Sequence, residues 1–397
     1  MDTYFARLCF ENIVKSGAAK AITTEVVDGK LNVESFIEQF KEIVGDEKEK
    51  KDWLKEYNDI IEIAYPLFSL KKFYNATYTQ FIDAVLTEKI YFIREIPIHS
   101  EMKNDKFILT FAVLMILKKI GISTEFICEH NTYIPESMQL QIDNDVTKMI
   151  EEYSQDLVAS MAVYDDKIVR NEASDEDKDK WLQESGKFKD FADNLNTILN
   201  VHNLNNQALD SIDLIGLFGI PDYDAISICE NSEYALVSVE AIISSIKNTN
   251  DIDVNVVSIT SWLIWCNIPV ITLINYVYKL LKLGCLSAVT EEFIIFVIDN
   301  FEKENDEERR KILKQLDKLF MEYNLVCADF QEYAIQILNI VFSNVVKKVD
   351  NPAFNPIIRL LMYDLLKLQN LRMEYRIKEN GGYELVTKAI NRTEDEQ

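Results

Sequence analysis

The stretch that most limits the fold begins at Lys106. "KFILTFAVLMILKKIGISTEFI" opens with an apolar run of strand length, continues at helical spacing, and meets Gly121 where a helix would close. From Thr132 the order repeats: "TYIPESMQLQIDNDVTKMIEEYSQ" reads as an extended segment, a proline at the start of a helix, and a long helix with a polar face. Strand then helix, twice over, is the pattern of an α/β layer. The texture returns at "PDYDAISICENSEYALVSVE", residues 221–240, which predicts a short helix, a turn and a buried strand over "YALVS". "AIISSIKN" predicts a further helix and "VNVVSIT" a final apolar strand. Between the two halves, "DDKIVRNEASDEDKDKWLQESGK" is dense in charge and reads as a solvated loop or helix–helix connection, and "FKDFADNLNTILNVHNL" as one more helix.

Both flanks are helical by pattern. "NVESFIEQFKEIVG" starts on an Asn cap, spaces Phe36, Phe40 and Ile43 at helical intervals and ends at Gly45; "DWLKEYNDIIEIAYPLFSLKKFY" and "TYTQFIDAVLTEKI" continue in kind, with a short strand at "KLNV". After Ser258 everything reads as helix, including "EEFIIFVIDNFEKENDEERRKILKQLDKLFMEY", "DFQEYAIQILNIVFSNVVKKV" and "FNPIIRLLMYDLLKLQNLRMEY". The expected class is therefore α/β with large helical flanks: a helical region over 1–104, an α/β domain with a parallel sheet sandwiched by helices over 105–260, and a helical region over 261–390.

Charge narrows the function classes. With 42 basic and 66 acidic residues the chain carries a formal net charge of −24, which repels nucleic-acid phosphates over most of its surface and argues against a general coat protein for DNA or RNA. The six cysteines lie mostly in apolar runs without a CxxC pair, as expected of reduced thiols in a cytoplasmic protein. His99, His130 and His202 have no metal-ligand spacing. The first residues show no basic and apolar leader, which predicts no signal peptide. The apolar stretch after Val256 is interrupted at Asn267-Ile268-Pro269, predicting two buried helices and no membrane span. Neither a GxGxxG nor a GxxxxGK[ST] phosphate cradle is present, and no G-x-S-x-G elbow.

Three segments, "FILTFAVLMILKKIGI", "YIPESMQLQI" and "PDYDAISICENSEYALVSVEAII", follow one another in an order that resembles a PIN-like nuclease domain, over about 150 of the 397 residues. The resemblance implies a parallel sheet whose carboxyl ends gather three or four carboxylates around Mg²⁺ or Mn²⁺, which activates a water against a phosphodiester. Carried onto this chain, the family's first aspartate falls on Thr110 and the acid of the following helix near Gln141. Asp224 takes the place of the "D-A" aspartate with Asp222 beside it, and the closing "S-D-D" becomes Ser238, Val239 and Glu240. Asp222, Asp224 and Glu240 are then the catalytic candidates, Asp224 and Glu240 the metal ligands if the site is retained, and Thr110, Gln141 and Ser238 the groups that could hydrogen-bond a substrate. Since acids are missing from several expected places, the resemblance implies a catalytically degenerate relative that acts by binding RNA, or a protein partner through its helical flanks. Two alternatives stay open: an active Mg- or Mn-dependent endoribonuclease using Asp222, Asp224 and Glu240, and a helical scaffold whose apparent strands are helix segments.

Overall fold

The computed structural model describes residues 26–27, 30–31, 37–38, 66–71, 76–88, 104–153, 159–164, 167–172, 174–199, 210–230, 232–240, 242–243, 254–285, 288–326 and 331–379. Most of the "NVESFIEQFKEIVG" and "AIISSIKN" helices, the "DWLKEYNDIIEIA" segment, His99 and His202 lie outside them. The chain divides into two compact units, one of residues 1–58 with 148–184 and one of residues 59–147 with 185–397.

In the second unit, five strands form one sheet: β3 (Lys106–Leu109), β4 (Thr132–Pro135), β7 (Asn196–Ile198), β8 (Tyr234–Val237) and β9 (Asn255–Val257). They lie in the order β7-β4-β3-β8-β9, and every neighbouring pair is parallel. Ile108 faces Leu236 across the central pair and Tyr133 faces Asn196 at the edge. Parallel sheets are covered on both faces, and the sequence obeys: Phe107, Ile108, Leu109, Ala235, Leu236 and Val237 are all fully buried, whereas polar Asn196 and Thr197 lie exposed on the edge strand. The chain runs outward one way from β3 and the other way from β8, so the order reverses between these two strands.

Helix α3 (Phe111–Ile120) leaves β3 through Thr110 and ends where Gly121, at φ 86°, returns its N–H to Leu117 O and Lys118 O. That left-handed cap is the close the sequence predicts. After α4 (Thr124–Glu129) and β4, α5 (Glu136–Tyr153) begins directly behind Pro135. Ahead of the sheet in sequence come α1 (Leu67–Lys71) and α2 (Tyr78–Glu88), which buries Tyr78, Phe81, Ile82, Val85 and Leu86.

The charged 165–187 stretch is not a loop. Its first part is β6 (Lys167–Glu172), antiparallel to β5 (Ala159–Tyr164) in the first unit, where β1 (Val26–Val27) and β2 (Lys30–Leu31) form another short hairpin. Its second part starts α6 (Asp175–Asp193). Ser174 Oγ accepts the Asp177 N–H at 3.1 Å, and Asp175, Glu176 and Asp177 occupy the first turn, so the acids there complement the helix dipole. The predicted single helix over 188–204 is also corrected. Asn194 donates its side-chain N–H to Asp190 O at 2.7 Å as α6 ends, and Asn196–Ile198 pairs with β4, because a sheet edge satisfies these backbone groups as well as another helical turn would.

Beyond Ser258 the described residues lie in helices and the short turns between them. α8 (Ile259–Trp265) and α9 (Val270–Lys282) meet at Asn267 (φ 52°) and Pro269. The 291–323 stretch is two helices, α10 (Glu291–Phe301) and α11 (Asp306–Val326). Arg309 closes the first by donating to Phe301 O at 2.9 Å and Glu302 O at 2.7 Å, and Asn305 Oδ1 opens the second by accepting from Glu307 and Glu308 at 3.0 and 3.1 Å. α12 (Gln331–Lys348) and α13 (Pro356–Glu379) complete the flank. No helix among the described residues is long and apolar enough to cross a membrane.

Candidate functional site

In an open parallel sheet, ligands bind outside the carboxyl ends of the strands at the point where the strand order reverses. Here that point lies after Leu109 of β3 and Val237 of β8. The residues that follow, Thr110, Ser238 and Glu240, are 0%, 2% and 6% exposed. The Thr110 N–H donates to Val237 O at 3.2 Å, and the Ser238 N–H to Val257 O at 3.1 Å. Ser238 Oγ accepts the Glu240 N–H at 3.0 Å, which fixes the backbone just past the end of β8.

Asp222 arrives from α7 (Asp210–Cys229), which breaks at Gly219. Gly219 has φ 76° and ψ 164°, a conformation open in practice only to glycine, and a Cβ there would stand 2.6 Å from the Phe68 ring. The helix therefore restarts with Pro221 in its first turn, as the sequence predicts, and Asp222 beside it. One Asp222 oxygen accepts the Phe111 N–H at 2.7 Å and the other the Tyr78 hydroxyl at 3.2 Å. This carboxylate does for α3 what the Thr110 side chain does not: Thr110 holds the N-cap position without capping, and its Oγ1 is buried with no hydrogen-bond partner among the described residues.

Glu240 Oε2 accepts the backbone N–H of Leu67 at 2.8 Å. Burial pushes Glu240 up to about 8, with the Asp222 charge adding to the shift and the Leu67 N–H opposing it. Burial lifts Asp222 to about 6 against the hydrogen bonds from Phe111 and Tyr78. Two carboxyls so placed resist ionising together, and near neutral pH the pair keeps a proton. Tyr78 is held well above the usual phenol range by burial first and by Asp222, Glu240 and Asp145 after it.

The sequence candidates separate as follows. Asp222, Glu240, Thr110 and Ser238 gather at the carboxyl ends of β3 and β8. Asp224, 8% exposed, lies two residues from Asp222 on one helix, about 200° around its axis, and so points away from it. Gln141 donates to Asp145 Oδ1 at 2.7 Å. Asp145, unread in the sequence, is the buried acid of α5: its other oxygen accepts both the N–H and the hydroxyl of Thr79 at 2.9 Å. It sits one helical turn after Gln141 on the same face, the one signal that could have found it. Tyr78 was also unread, since nothing local marks a tyrosine in a distant helix as a partner of Asp222.

A divalent ion of the Mg²⁺ type needs several oxygens with room for its own waters. Both Asp222 oxygens are taken by protein donors, Glu240 Oε2 is taken by Leu67, and among the described residues no group of three or more His, Cys, Asp or Glu could hold a metal ion. The donor set does not fit a bare divalent cation.

Fold and site define an open parallel α/β domain whose switch-point crevice is closed by the chain itself. No family model, curated protein or solved structure matches this chain.

Proposed function

We propose that this chain is a non-cleaving relative of the PIN-like ribonucleases and works by binding a protein partner. One observation carries the reading: the two carboxyls at the carboxyl ends of the central strands are buried and engaged by Leu67, Tyr78 and Phe111, so they are not presented to a phosphodiester. A protein partner is favoured over RNA by the net charge of −24. It is also favoured by an apolar stripe on α13, where Met362, Tyr363 and Leu366 stand exposed at helical spacing beyond Phe354, which is 84% exposed.

The test is incubation with single-stranded RNA and Mn²⁺ at moderate salt, with Asp224→Ala beside the wild type. We expect no cleavage and no retention of RNA. Cleavage that Asp224→Ala abolishes would establish the active endoribonuclease instead, and RNA retention without cleavage would make RNA the partner.

A further inference from the structure

The crevice is closed by residues that belong to no strand of the sheet. Leu67 and Ser69 of α1 come to it from 173 and 148 positions away: the Leu67 N–H reaches Glu240, and Ser69 Oγ donates to Leu217 O at 2.9 Å. Leu217 is just before the Gly219 break, where α7 leaves carbonyls without helical partners. The Phe68 ring covers Gly219 and stands 5.2 Å edge-on from Tyr78, whose own ring lies 4.6 Å from Phe111. The Leu67 N–H, the Ser69 hydroxyl and the Phe68 ring thus meet a carboxyl, a backbone carbonyl and a glycine, while the Tyr78 hydroxyl meets the second carboxyl, Asp222, at 3.2 Å; this is the complementarity expected between a site and its ligand. The fit is incomplete at Thr110 Oγ1, which is fully buried at the end of β3 and has no hydrogen-bond partner among the described residues. Leu217 and Ile220, 37% and 56% exposed, form an apolar rim beside the closure.

We infer that the Pro66–Lys71 turn, steadied by Tyr78, is an internal ligand: it fills the switch-point crevice and excludes small molecules whose N–H or O–H donors would suit Asp222 and Glu240. The inference rests on reading the carboxyl ends of β3 and β8 as the binding crevice of the proposed function. It adds that what keeps this crevice from acting is the 66–71 turn together with Tyr78.

The experiment is amide hydrogen exchange at a single fixed pH on the full chain, comparing the wild type with the double variant Ser69→Ala/Tyr78→Phe. Both substitutions remove one hydroxyl and keep the fold's apolar surface. Amides from Leu67 to Lys71 and that of Phe111 should exchange at least about ten-fold faster in the variant while those of Val270–Lys282 keep their protection. Calorimetry with methylguanidinium as the probe should then give a saturable heat with the variant and none with the wild type. Unchanged exchange at Leu67, acceleration shared by Val270–Lys282, heat with the wild type, or no heat with the opened variant would each overturn the inference. RNA cleavage by the wild type would overturn the proposed function without touching the exchange result, so the two fail separately.

Discussion

Leu67 and Glu240 meet at 2.8 Å through a backbone N–H and a buried carboxyl, 173 positions apart in the chain. That bond ties a turn from before the first central strand to the residue that follows the fourth. It also opposes the burial that lifts the Glu240 carboxyl, so the pair couples packing to protonation.

The first prediction concerns pH. Asp222 and Glu240 bind protons more tightly in the fold, near 6 and 8, than in an unfolded chain, where they release them near 3.8 and 4.5. The folded state therefore holds the extra proton across this interval, and stability falls as pH rises from the lower to the upper values, levelling above about 8. Glu240→Gln keeps an oxygen for the Leu67 N–H and removes the titration. In urea denaturation from pH 5 to pH 9 the variant should lose less stability than the wild type and exceed it at the alkaline end, by on the order of a few kcal/mol. A wild type that gains stability over this range would refute the account.

Asp222→Ala should be costly for a different reason. It strands the Phe111 N–H and the Tyr78 hydroxyl in a buried place, and unpaired groups of this kind cost about 1–3 kcal/mol each. Asp222→Asn keeps an acceptor for Phe111 and should cost clearly less. Equal losses for the two variants, read from urea midpoints, would mean that hydrogen bonding at Asp222 does not govern stability.

Two glycines with similar φ should respond unequally to alanine. At Gly121 (φ 86°) the nearest atom to a new Cβ is Lys279 Nζ at 3.7 Å, so only the left-handed backbone matters, at about 1 kcal/mol. Gly219 adds a collision with the Phe68 ring at 2.6 Å, and overpacking raises the loss to roughly 3 kcal/mol. Thermal denaturation should rank Gly219→Ala well below Gly121→Ala.

Arg309→Ala removes the side chain that closes α10 and that lies over the Phe301 ring at 5.5 Å. A loss of about 1 kcal/mol is expected in denaturant titration. An Arg309→Lys variant should recover little of it, since one ammonium cannot span both carbonyls as the guanidinium does.

Much of the α/β layer was legible because its signals are local. The switch from strand to helix at Thr110, the glycine cap at 121, Pro135 ahead of α5 and the break at Pro269 are written in adjacent residues. The edge strand Asn196–Ile198 was not legible, since a three-residue run carries no periodicity and becomes a strand only by pairing with β4. The charged 165–187 stretch misled for the converse reason: acid density marks a helix N-terminus as readily as a loop.

By itself the sequence determined which segments are apolar enough to sit at the centre of a parallel sheet and where helices start and stop. It also placed acids at 222, 224 and 240. Tertiary structure alone decided which of these acids meet. Helix rotation separates Asp224 from Asp222, the path of α5 joins Gln141 to Asp145 and Asp145 to Thr79, and the partners of Glu240 and Asp222 are a backbone N–H and a phenol from far upstream. A backbone donor belongs to every non-proline residue and so leaves no mark in a sequence; only the packing that buries it gives it a partner.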